Sequence, residues 1–137
     1  MNILLDASAI MAIILNEPNK GKAIELTEDA TLFCPEIMSF EIGNALVNLY
    51  KRGKITEKNL IEAYKEYVSI PFKKKKINIS KALEIACKYK IYAYDAYYLD
   101  IACRLDLPLI TFDKKMQSVG TDLKITILNL EEQDESI

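Results

Sequence analysis

Short apolar blocks alternate along the chain with longer stretches in which apolar positions recur every three or four residues. Asn2–Leu5, Thr31–Cys34, Leu109–Thr111 and Lys124–Leu128 are the blocks, each of strand length. Between them, helical spacing predicts helices over Ala7–Leu15, Asn19–Glu28, Glu36–Arg52, Thr56–Tyr67, Ser80–Lys90, Asp95–Leu105 and, briefly, Lys114–Val119. Asn16-Glu17-Pro18 and Gly53 punctuate the pattern, and Thr56 and Ser80 are residues suited to cap a helix. Ser69–Asn78 has no clear period and reads as a loop or an irregular strand. Strands that alternate with helices, often two at a time, argue for an α/β fold: a three-layer α/β/α sandwich around a small, mostly parallel sheet. At 137 residues the chain is sized for one domain, covering 1–137. Ligands of such sheets bind beyond the carboxyl ends of the strands.

Four acids break this apolar pattern. Asp6 ends Ile3-Leu4-Leu5, Asp113 follows Leu109-Ile110-Thr111-Phe112, and Glu41 and Asp95 interrupt apolar helical stretches. Burying one ionised carboxylate costs several kcal/mol unless it is compensated, and four together repel, so a bound cation is the natural compensation. Oxygen-only ligands favour Mg²⁺ or Mn²⁺ over Zn²⁺. Each acid also has a plainer reading. Asp6, Asp95 and Asp113 all suit a helix N-cap, and Glu41, Asn44 and Asn48 form one polar stripe that solvent alone could explain. Asp95 and Asp100 lie about 140° apart on one helix, so they cannot both face one site. Asp95 shares its side with Tyr98, Leu99 and Ala102, whereas Asp100 pairs with Arg104 four residues on, which predicts a surface ion pair.

Composition narrows the chemistry. The chain has no histidine, which excludes Ser-His-Asp and Cys-His nucleophiles, histidine acid–base catalysis and histidine-held metals. Cys34, Cys87 and Cys103 are widely spaced among apolar neighbours and read as reduced core residues, not as a disulfide frame or zinc site. The first fifteen residues look like a secretory segment until Asp6 and the lack of a basic start are noted, and no apolar run is long enough to span a bilayer. These features predict a cytoplasmic protein with no membrane association. Net charge is −2, with basic clusters at Lys51-Arg52-Gly53-Lys54, Lys73–Lys76 and Lys114-Lys115 and an acidic tail from Glu131 to Glu135. The lysine run Lys73–Lys76 reads first as a solvated loop or helix end, with RNA contact the alternative. Lys114-Lys115, beside Asp113, are better placed to meet phosphate.

The order and spacing of four segments resemble the PIN-domain family, and within it the VapC-like toxins of toxin–antitoxin pairs. The segments are Leu4-Leu5-Asp6-Ala7-Ser8, Glu41-Ile42-Gly43-Asn44-Ala45-Leu46, Tyr94-Asp95-Ala96-Tyr97-Tyr98-Leu99, and Leu107-Pro108-Leu109-Ile110-Thr111-Phe112-Asp113-Lys114. The resemblance implies that Asp6, Glu41, Asp95 and Asp113 are the metal-holding catalytic acids. It implies that Ser8 and Thr111 are the hydroxyl residues that orient them, and that Asn44 is the polar residue one turn past the glutamate. It further implies an endoribonuclease using Mg²⁺ or Mn²⁺ on an RNA substrate, a homodimer, and a cognate antitoxin bound along the first helices. An ion at these acids lowers the pKa of a water and stabilises charge on the phosphoryl group, a route that needs no histidine.

Other readings fare worse. A haloacid-dehalogenase-type phosphatase needs a second Asp where Ser8 stands, and a receiver domain needs an acid pair that is absent. A PIN-like domain that only binds RNA has no reason to keep four acids. A housekeeping RNA-processing nuclease of this type usually carries further domains. The five tyrosines between Tyr89 and Tyr98 are expected in the core or at a dimer interface, not in the site.

Overall fold

The structure, a computed structural model, describes residues 1–18 and 20–128. Elements follow as β1 (Asn2–Leu5), α1 (Ala7–Ile14), α2 (Lys20–Thr27), β2 (Thr31–Pro35), α3 (Met38–Lys51), α4 (Glu57–Ser69), β3 (Lys73–Lys75), α5 (Ile79–Tyr89), α6 (Ala93–Leu105), β4 (Leu109–Ile110) and α7 (Lys114–Asp122). The four strands form one parallel sheet in the order β3-β2-β1-β4. Parallel strands need right-handed crossovers. The connections through α1–α2 and α3–α4 run one way along the sheet, and the connection through α5–α6 runs back. That reversal puts the two sets of helices on opposite faces, which gives the three layers. It also puts the switch point between β1 and β4, where a ligand site is expected.

β1 is buried on both faces, as the middle of a parallel sheet requires, and Ile3, Leu4, Leu5, Leu109 and Ile110 are fully buried with Ile10, Ile42, Leu46 and Leu99. α1 is apolar almost all round because it lies beneath α2, α3 and α4. α3 ends as expected just before Gly53, whose φ of 71° suits glycine. Thr56 caps α4 by accepting the Asn59 amide at 3.1 Å.

One open expectation is decided and three need correction. Of the loop and the irregular strand, the segment around Lys73–Lys76 takes the strand, the short edge strand β3, with Lys74 Nζ donating to Ser39 Oγ at 3.2 Å and Lys75 standing 5.5 Å from the Phe33 ring. Lysines are well suited to an edge, because a second sheet cannot approach them cheaply. α5 is capped by Asn78, not Ser80, through the Lys81 amide. The strand expected at Lys124–Leu128 is reduced to one parallel bridge, Leu109 to Ile127. Cys87 and Cys103 are exposed; only Cys34 is in the core, where burial pushes its thiol up to about 12. The acidic tail and Asn19, expected to open the second helix, lie outside the described residues. No helix among the described residues is long and apolar enough to cross a membrane.

Candidate active site

Asp6 leaves the end of β1 and caps α1, so both readings of it hold at once. Its Oδ1 accepts the Ala9 amide at 3.0 Å and the Ser8 hydroxyl at 2.6 Å, and its Oδ2 accepts the Thr111 hydroxyl. Each hydroxyl that donates to Asp6 also accepts a backbone amide from the β4–α7 connection. Phe112 N–H donates to Ser8 Oγ and Asp113 N–H to Thr111 Oγ1, both at 3.0 Å. Gln117 Nε2 closes the turn on the Thr111 carbonyl at 2.8 Å. Asp6 is 4% exposed. Burial raises its pKa, Ser8, Thr111 and the Ala9 amide pull it back, and the charge of Asp113 pushes it further up.

The other three acids stand around it and feel one another. Glu41, in the first turn of α3, accepts a 2.9 Å hydrogen bond from Tyr98 of α6, across the carboxyl end of the sheet. Burial lifts Glu41 to about 7, Tyr98 lowers it, and the charges of Asp6 and Asp95 raise it. Asp95, in the first turn of α6, is raised by burial and then by Asp113. Asp113 caps α7 through the Met116 amide at 3.0 Å and is exposed. Only Asp6 is therefore buried outright; Glu41 and Asp95 are half-buried, and the cluster opens to solvent on the Asp113 side.

A family model described as PIN domain matches residues 3–121. The chain belongs to the PIN-domain family. Over 125 residues this PIN domain is 27% identical to Ribonuclease VapC3 of Pyrobaculum aerophilum, an alignment covering 85% of this chain and 92% of that protein. Its fold matches the crystal structure of PAE2754 from Pyrobaculum aerophilum with a TM-score of 0.72 at 24% identity, covering 97% of this chain and 95% of that one. It matches VapBC-1 from nontypeable Haemophilus influenzae with a TM-score of 0.66 at 19% identity, covering 95% and 98%. The two structures speak for the fold.

The donor set of this PIN domain suits a hard divalent cation. A carboxylate offers about four acceptor positions, and three on Asp6 are already filled. Glu41 keeps Oε2, Asp113 keeps Oδ2, and Asp95 accepts no hydrogen bond from the described residues. As the side chains lie, no three acids, cysteines or histidines among the described residues are close enough to chelate an ion. The acids interact at longer range.

Two residues look different from their sequence-based reading. Asp100 is 1% exposed, not on the surface. It accepts Arg104 Nε at 3.1 Å and the Asn78 amide at 3.1 Å, while Arg104 Nη2 donates to the Lys76 carbonyl at 2.9 Å. The pair ties α6 to the segment between β3 and α5 and stands apart from the acids. Tyr98, whose hydroxyl reaches Glu41, is the neighbour of the acids that sequence reasoning missed. Its place three residues after Asp95 was the available signal, because that spacing sets it on the same helical face.

Proposed function

We propose that this PIN domain is a metal-dependent endoribonuclease, the toxin of a VapBC-type toxin–antitoxin pair. The observation that carries the reading is the gathering of Asp6, Glu41, Asp95 and Asp113 at the sheet's carboxyl end, where each raises or is raised by another. Support also comes from the similarity to a relative named a ribonuclease, Ribonuclease VapC3. An RNA substrate, a cognate antitoxin, a homodimeric state and cytoplasmic residence belong to the same proposal.

The four acids would hold one or two Mg²⁺ or Mn²⁺ ions. When bound, such an ion supplies an acidified water as nucleophile and offsets charge on the phosphoryl group. Ser8 and Thr111 keep Asp6 oriented with one acceptor position open. Tyr98 holds Oε1 of Glu41, which leaves Oε2 to accept. Hydrolysis by water leaves 5′-phosphate and 3′-hydroxyl ends and needs neither a histidine nor the RNA 2′-hydroxyl.

The test is cleavage of a 5′-labelled structured RNA by wild type and Asp6→Asn, purified identically, with Mg²⁺, Mn²⁺ or EDTA. Metal-dependent cutting by wild type alone supports the reading. Equal cutting by both, or cutting in EDTA, refutes it.

A further inference from the structure

Beside the acids, and sharing Glu41 with them, lies a cleft whose other residues the hydrolysis itself does not use. Its volume is about 400 Å³; Phe40, Asn44, Asn48 and Tyr94 line it, and Glu41 and Ala7 join it to the site. That volume is in the range of small-molecule pockets. Four features restrict what it can hold. Phe40 is 79% exposed and Tyr94 55% exposed, so two aromatic rings stand in water at the rim of a charged site. Tyr94 packs edge-on against Tyr97, with ring centroids 5.4 Å apart, a contact that favours the outward position of its ring. Asn44 and Asn48, one turn apart on α3, are exposed, and their side-chain amides form no hydrogen bond with the described residues. Each therefore offers a donor and an acceptor. Among the described residues no lysine or arginine lines the cleft, so a phosphate would find no counter-charge from them there.

An uncharged, flat, hydrogen-bonding group meets all of these conditions. We propose that the cleft receives one unpaired nucleobase beside the scissile phosphate, stacked against Phe40 or Tyr94 with Asn44 and Asn48 reading its edge. The proposal rests on the nuclease reading above and adds a specificity to it. Base-paired nucleotides are excluded, because a paired base is already stacked and its edge is occupied. Stacking on an exposed ring tolerates any base, so discrimination between bases falls to the two amides.

The test is abasic scanning. Short unstructured RNAs, each lacking one base at a different position, are bound to Asp6→Asn protein with Mg²⁺ and followed by fluorescence anisotropy. The expected result is one position at which removing the base weakens binding about tenfold. That penalty should vanish in Asp6→Asn/Phe40→Ala or Asp6→Asn/Tyr94→Leu and shrink in Asp6→Asn/Asn48→Ala. A flat profile, or an unchanged penalty in all three variants, overturns the proposal. Loss of self-association in the Phe40 variant with a flat profile would assign the face to a second copy of the chain and overturn it equally. Metal-dependent cleavage by wild type with a flat profile would leave the nuclease reading standing without this pocket. A position-specific penalty without cleavage would do the reverse.

Discussion

Thr111 and Asp6, 105 positions apart in the chain, share a buried side-chain hydrogen bond. The Thr111 hydroxyl donates to the carboxylate and accepts the Asp113 amide, so one oxygen sets both the acid after β1 and the turn after β4. Thr111→Val keeps the shape and removes both bonds. Activity should fall about 10- to 100-fold, the usual effect of losing a group that orients a metal ligand. Thr111→Ser should recover most of it. Comparing initial cleavage rates of the three proteins, with circular dichroism to confirm folding, checks this.

The carboxyls should make the metal-free protein less stable as pH rises. Burial lifts Glu41 from 4.5 to about 7 and also raises Asp6 and Asp95. A carboxyl with a higher pKa in the folded state binds its proton more tightly there, so folding is favoured below the unfolded value. That contribution is lost as pH rises through the folded value. In EDTA, the melting temperature should therefore be higher at about pH 5 than at about pH 8. Glu41→Gln should flatten the difference. A melting temperature that climbed steadily across this window would contradict the assignment.

Asp95→Asn separates function from stability. No hydrogen bond from the described residues holds the Asp95 carboxylate, and both its burial and Asp113 disfavour its charge. Neutralising it should leave the metal-free protein as stable as wild type or more so, while abolishing cleavage. Adding Mg²⁺ should raise the melting temperature of wild type at about pH 8 and do so far less in the variant, because a ligand stabilises only the state that binds it.

Arg104→Met is expected to act on the fold alone. It strips the ionic partner from Asp100 and the donor from the Lys76 carbonyl. The Asn78 amide remains, so the loss should be about 1–3 kcal/mol, the cost of taking one partner from a buried charged hydrogen bond. Urea denaturation measures it. The cleavage rate per folded molecule should not change, since Arg104 is no part of the acid cluster.

Gly43→Ala should stabilise. Gly43 sits in the interior of α3, and a Cβ there meets nothing within 4 Å. Replacing a helical glycine with alanine is worth about 1 kcal/mol. An increase in the urea midpoint with unchanged slope would bear this out.

The sandwich was legible because it depends on local pattern, and the places of the four acids were legible because each breaks an apolar block or an apolar helical stretch. What escaped the sequence depended on partners far along the chain. Asp100 and Arg104 show the i, i+4 spacing of a surface pair, yet the Asn78 amide and the Lys76 carbonyl cover them. Tyr98 was grouped with core tyrosines, and most of it is buried; only its hydroxyl, meeting Glu41 from another layer, marks it as different. The lysine strand was ambiguous because three residues carry no period, and its place was decided by pairing with β2.

The sheet order has a consequence for when the protein can act. β4 pairs with β1, and the acids come from positions 6, 41, 95 and 113, so the first residues wait beside an empty strand position until residues 109–113 have been made. A growing chain on the ribosome holds Asp6 long before it holds Thr111 to orient it or Asp113 to complete the cluster. Any fragment that stops short of position 113 therefore lacks part of the cluster, however well its earlier elements have folded.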